Sequence, residues 1–205
     1  MIVAVITGDV IRSRKMTPKV WLPRLECALL KYGAKGRKWR IFRGDSFQLE
    51  VIPEKVFEAL FYIKTAIKAE KMLDVRMAVG IGEKAYTGES ITTSNGEAYI
   101  FSGESFDNLK KHTISIKTAW DDLNEQLNLI VETAILIVEK WNVNISNIVK
   151  TAMENPYLTQ SELAEILGKR QFNISRDLKK ANYEAILKTI QFCTKIIVER
   201  CSHSP

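Results

Sequence analysis

Two aspartates at the ends of apolar runs carry the clearest chemical signal in this chain. Asp9 follows Ile2-Val3-Ala4-Val5-Ile6-Thr7-Gly8, and Asp45 follows Gly44 between Trp39-Arg40-Ile41-Phe42-Arg43 and Ser46-Phe47-Gln48-Leu49-Glu50-Val51. Gly44-Asp45 reads as the turn of a β-hairpin. If the two strands are neighbours, both carboxylates project from one sheet edge. Such a pair suits Mg²⁺, or Mn²⁺, held against a nucleotide's phosphates, because Mg²⁺ takes one or two carboxylates together with phosphate oxygens. The plainer alternative is that Gly-Asp is a common turn and that an Asp closing a strand caps the next helix. Arg12, Ser13 and Arg14 follow the first strand and can cradle phosphate through backbone N–H groups and cationic side chains. Arg43, just before the turn, is another phosphate candidate. Solvated surface arginines are the competing reading.

The elements that must position these residues can be read from periodicity. Residues 2–8 form a continuous apolar run, as in a strand buried on both faces. Thr17-Pro18 opens a helix lined by Leu22, Leu25, Leu29 and Leu30, with Pro23 suggesting a later start. Strands over 38–43 and 46–52 flank the Gly44-Asp45 turn. Pro53 starts a second helix carrying Val56, Leu60, Ile63 and Ile67, and residues 74–82 form another strand. Gly80 and Gly82 read as turn residues beyond that strand. The order is β-α-β-β-α-β, an α+β, ferredoxin-like arrangement over residues 1–117. It places the first strand and the hairpin in one sheet.

Composition sets ordinary bounds. The chain has 205 residues, 46% of them hydrophobic and 26% charged, as in a soluble globular protein. The opening apolar run is short and has no basic start, so it is no signal peptide, and no apolar stretch is long enough to cross a bilayer; no membrane partner is expected. Cys27, Cys193 and Cys201 are odd in number and scattered, which fits reduced thiols and a cytoplasmic location. With two histidines and no CxxC, a zinc site is not expected. The net charge of +6 lies wholly in the first half: residues 1–117 hold 20 Lys/Arg against 13 Asp/Glu, and residues 118–205 hold 10 against 11. A basic run beside a carboxylate pair suits a polyphosphate or a nucleic-acid backbone.

The element order and the two aspartates resemble the palm-like catalytic domain of class III nucleotidyl cyclases and diguanylate cyclases. The whole chain resembles the SatD family. The matching blocks are Ile6-Thr7-Gly8-Asp9 with Ser13-Arg14, Phe42-Arg43-Gly44-Asp45-Ser46-Phe47-Gln48, and Asp74-Val75-Arg76-Met77-Ala78 with Gly80-Ile81-Gly82. Ser94-Asn95-Gly96-Glu97-Ala98 and Ser102-Gly103 with Phe106-Asp107 complete them. The cyclase resemblance implies a metal-nucleotide site at Asp9 and Asp45. It also implies an Asn and an Arg on a late helix, where this chain offers Asn95, Asn108, Lys110 and Lys111 but no Arg. A lysine supplies charge without the bidentate fork of arginine. Residues 113–117 could add a last edge strand.

Residues 118–205 read as entirely helical. Thr118 can cap a long linker helix over 118–141, in which Trp120, Leu123, Leu127, Ile130, Ala134, Ile137 and Trp141 recur in steps of three and four. That seam fits either a core helix or a homodimer, with a last helix over 183–200 also apolar on one face. Cys193 reads as core filling, and the tail from Cys201 as disordered. Between them, Thr159 to Gly168 forms a short capped helix, Lys169-Arg170-Gln171 a turn, and Phe172 to Ala181 a second helix. Residues 159–181 thus resemble a bacterial helix-turn-helix. Its second helix would present Gln171, Asn173, Ser175, Arg176 and Lys179 to DNA, where Gln and Asn pair with adenine, Arg with guanine, and lysines with phosphate. Two functions follow: a DNA-binding regulator coupled to a metal- or nucleotide-binding domain, or a Mg²⁺-dependent nucleotidyl or phosphoryl transferase.

Overall fold

The protein is described by a computed structural model covering residues 1–109 and 112–202. It is a mixed α/β structure. Strand β1 (Ile2–Ile11) leads through a 3₁₀ turn to α1 (Pro18–Leu30), then to β2 (Trp39–Phe42) and β3 (Ser46–Val51). Helix α2 (Val56–Lys68), β4 (Asp74–Tyr86), the short β5 (Asn95–Gly96), α3 (Glu97–Asp107) and β6 (Ile114–Thr118) complete the first half. The strands lie in the order β2-β3-β1-β4, each antiparallel to its neighbour. β6 runs parallel to β4 on its outer side, and β5 pairs with the far end of β4.

Several local expectations need correction. β1 does not end at Asp9. Val10 and Ile11 still pair with Val75 and Asp74, and Val10 N–H donates to the Asp45 carbonyl, so backbone partners carry the strand onward. Helix α1 starts at Pro18 and keeps Pro23 inside it. Pro53 opens a 3₁₀ turn before α2 rather than α2 itself. Gly80 and Gly82 lie within β4, not in a turn after it. A Cβ on Gly80 would stand 2.1 Å from the Ala98 carbonyl oxygen, so the bare strand is what lets α3 lie on the sheet.

The sheet has two unlike faces, because residues alternate across a strand. Ala4, Ile6 and Val10 of β1 join α1 and α2 in the main core. Val3 and Val5 on the opposite face meet Ile91, Ala98 and Tyr99, a small cluster under α3. Helix α2 is buried almost all round, since the sheet covers one side and the second half of the chain covers the other. Even Lys64 is fully buried there, paired with Asp74 at 2.9 Å.

The second half comprises α4 (Asp121–Val138), α5 (Val143–Glu154), α6 (Gln160–Ile166), α7 (Gln171–Lys180) and α8 (Tyr183–Ser202). Thr118 closes β6 instead of capping α4; its hydroxyl and backbone are held by Asn124. Residues 143–154 form a helix that the sequence pattern had left unassigned, capped by Asn142 on Ile145 N–H. Of the expected seam, Leu123, Leu127, Ala134 and Trp141 are buried and Trp120, Ile130 and Ile137 half-buried; Val131, Ile135 and Val138 complete the buried stripe of α4, which packs on β6 and α8. One hydrophobic cluster runs through both halves. Polar ties reinforce it: Tyr62 donates to Glu154 at 2.5 Å, and Trp141 Nε1 donates to the Ala181 carbonyl at 3.1 Å. Cys201 and Ser202 belong to α8, not to a disordered tail. Cys193 is fully buried, and burial pushes its thiol up to about 12, in keeping with core filling. Among the described residues no helix is long and apolar enough to cross a membrane.

Candidate functional sites on the sheet face and on helix α7

Asp9 lies on the sheet face that α3 covers only in part. Its cross-strand neighbours are Ser46 on β3 and Arg76 on β4, and one step along are Thr7, Gln48 and Ala78. Residues directly opposite one another share a face and interact. Arg76 engages Asp9 through both branches, Nε to Oδ1 at 3.0 Å and Nη2 to Oδ2 at 2.5 Å. The guanidinium also lies 5.5 Å from the Phe106 ring centroid. Hydrogen bonding to Asp9 raises the Arg76 pKa further, and the charges of Asp9 and Asp45 add to this.

Asp45 sits in the hairpin turn beside that pair. Arg43 and Gly44 both take positive φ, 52° and 91°, the left-handed pair that lets a tight hairpin reverse. The Asp45 carboxylate accepts a short hydrogen bond from the hydroxyl of Ser13, which is buried. Ser13, expected on phosphate, is therefore committed to Asp45. Arg12, Arg14 and Arg43 are exposed and carry no ion pair among the described residues. Arg12 also lines a cavity of about 420 Å³ with Lys68, Glu70, Asp74 and Trp141. Lys110 and Lys111 lie outside the described residues.

Mg²⁺ needs carboxylate oxygens that are free to turn to it. Both oxygens of Asp9 are taken by Arg76, and one of Asp45 by Ser13. Among the described residues no group of three or more His, Cys, Asp or Glu side chains could hold a metal. As arranged, these donors do not fit a divalent cation at Asp9 unless Arg76 leaves. Arg76 is the residue that sequence reasoning missed. The signal was available in register: an antiparallel β4 beside β1 sets position 76 opposite position 9.

Further along the same face, Glu50 is buried to 1% exposure yet charged. Burial opposes its ionisation, but hydrogen bonds from Lys38 (2.6 Å), Lys84 (2.7 Å) and Tyr99 overcome this and hold its pKa below the usual value. Glu50 and Lys84 were not picked out from the sequence, and Lys38 was read only as part of the basic run before the hairpin.

Helices α6 and α7 form the other candidate site. Thr159 accepts from Glu162 N–H while the Glu162 carboxylate accepts from Thr159, a reciprocal cap that fixes where α6 begins. Gly168 at φ 60° ends it, and after Lys169 and Arg170 the chain enters α7. Ile174, Leu178 and Ala181 turn inward on Leu163 and Ala164. Gln171, Arg176 and Lys179 are exposed; Asn173 and Ser175 are half-buried. The one acid of the segment, Asp177, points inward at 6% exposure, held by Asn144 at 2.9 Å and Arg176 at 3.1 Å. The outer surface of α7 therefore carries Arg176, Lys179 and Lys180 and no acid. Phe172, also passed over in the sequence, is 70% exposed upon it.

No family model matches the chain, and no curated protein or solved structure matches it.

Proposed function

We propose that the chain is a DNA-binding regulator, SatD-like in design, in which the sheet half binds a phosphorylated ligand and the helical half reads DNA. The observation that carries this reading is the outward cationic surface of α7, whose only acid is turned into the core. The α6–turn–α7 unit is read as a helix-turn-helix: the capping box starts the first helix, and Gly168 makes the turn. Gln171, Ser175, Arg176 and Lys179 then face the major groove, with Asn173 at its flank. The sheet half is read as ferredoxin-like, on the antiparallel order β2-β3-β1-β4. There Arg12 and Arg14, on either side of the Ser13 that holds Asp45, and Arg43, two positions before Asp45, carry no ion pair among the described residues and are the best candidates for a nucleotide's phosphates. Mg²⁺ or Mn²⁺ has no part in this reading, because Arg76 engages both carboxylate oxygens of Asp9. A cytoplasmic location and a homodimer belong to the same reading. For the dimer, Leu129, Leu136 and Phe192 are the apolar residues left exposed on α4 and α8.

The deciding measurement is fluorescence anisotropy of labelled duplex DNA with the full chain over a range of salt. Salt-sensitive binding by the parent, weakened in Arg176→Ala, supports the reading; absence of binding at low salt removes it.

A second reading, Mg²⁺-dependent nucleotidyl or phosphoryl transfer, is favoured by Arg76. It brings to the aspartates the guanidinium that the late helix lacks. Incubation with labelled nucleoside triphosphates and Mg²⁺ or Mn²⁺ tests it: product from the parent that is lost in Asp45→Asn supports transfer, and no product rejects it.

A further inference from the structure

Phe172 has a position that solvent alone does not explain. At about 100° of rotation per residue, it falls opposite the buried line of Ile174, Leu178 and Ala181, so it forms the centre of the exposed surface of α7. Arg176 and Lys179, one and two turns on, flank it on either side. It is the second residue of the helix, and 70% of its surface is open. A large apolar ring is thus set in a cationic rim, at the end of the helix from which base edges are reached.

That combination selects one kind of occupant. An apolar protein surface would leave the Lys179 charge without a counter-charge as it desolvates, while Arg176 would keep only the Asp177 beside it. Duplex DNA answers both features, because its phosphate rows meet the cations while the thymine 5-methyl groups between them offer apolar contact in the major groove. We infer that Phe172 is a specificity residue that packs on a thymine methyl group. The inference rests on the DNA-binding reading above and adds to it the base that is read and the group on that base.

The test uses the full chain, parent and Phe172→Ala in parallel. Each is used to select from short duplexes with a randomised centre, and the preferred duplex is remade with each thymine in turn replaced by deoxyuridine, which removes only the 5-methyl. The expected result is a thymine at which the parent loses about fourfold in affinity, the worth of one buried methyl-sized group. Phe172→Ala should bind more weakly and be indifferent to that exchange. If both proteins select the same sequence and neither responds to deoxyuridine, the Phe172 assignment is overturned while DNA binding stands. If neither enriches any sequence or binds DNA, both readings fall together. If Phe172→Ala changes only the sedimentation behaviour of the parent, the ring belongs to a contact between copies of the chain, and the assignment is again overturned. Because the side chain is mostly exposed, the fold of the variant should match the parent in circular dichroism.

Discussion

On the sheet face, Arg76, Lys38 and Lys84 each meet a carboxylate; on α7, Lys179 and Lys180 meet none among the described residues. Both regions are rich in cations, yet their charges do different work. The sheet charges are mutually satisfied and partly or wholly out of water, so any ligand there must compete with an existing ion pair. On α7, Lys179 and Lys180 stand in solvent without an acid partner among the described residues, and Arg176 pairs with the withdrawn Asp177, so a polyanion can reach the two lysines without displacing an ion pair. Glu50 and Asp177 show the contrast most directly. Glu50 gathers cations inward to close a network, whereas Asp177 is itself drawn inward and leaves the surface positive.

The largest expected effect falls on the closed network. Glu50→Ala leaves Lys84 buried without a counter-charge and should destabilise the fold by about 3–5 kcal/mol, read from urea unfolding. The same residue gives a pH signature. Its folded pKa lies below the usual glutamate value, so its stabilisation is complete above that usual value and is lost as pH falls through the lower folded one. Glu50→Gln should therefore flatten the acid side of the stability profile, and a profile unchanged by the substitution would separate Glu50 from acid unfolding.

Next comes the seat of α3, the helix that holds Tyr99 over Glu50. Gly80→Ala drives a methyl into the α3 backbone and should cost about 1–3 kcal/mol, seen as a lower thermal midpoint. On the open side of the comparison, Arg176→Ala should weaken a specific DNA site by about 1–3 kcal/mol, measured by anisotropy. Lys179→Ala should weaken all sequences alike and reduce the salt slope by about one. Equal, sequence-independent losses for both would mark α7 as a purely electrostatic surface. The smallest effect is expected at Arg76→Gln, no more than about 1 kcal/mol of stability, because that ion pair is partly solvated. If the substitution also raises Mn²⁺ binding in calorimetry, Arg76 is the competing cation at Asp9; if binding is equally absent in both proteins, the pair is structural.

Much of this was legible along the chain. The apolar runs, the Gly44 turn and the Thr159–Gly168 segment are local signals, because strand alternation, positive φ and end-capping depend on residues a few positions apart. The α7 candidates came from the same kind of evidence and all lie on or beside its open surface. What was missed depends on distant partners. Asp9 reads as the end of a strand until β4 is laid beside it and continues the pairing. Gly80 reads as a turn until α3 is seated on it. Arg76 and Glu50 are ordinary charged residues in the sequence, and only register and burial make them members of a site. The α4 stripe fits a dimer or a core equally well, since periodicity marks an apolar face without saying what covers it.

By itself the sequence determined the order β1-α1-β2-β3-α2-β4, the hairpin that carries Asp45, and the polar character of α7. Each of these is set by short-range sterics, capping and side-chain periodicity. Only the tertiary structure decided that Asp9 would be held by Arg76, that Glu50 would be buried among lysines, and that Asp177 would turn away from the surface. Those outcomes depend on which groups lose water together, and desolvation is a property of the packed molecule.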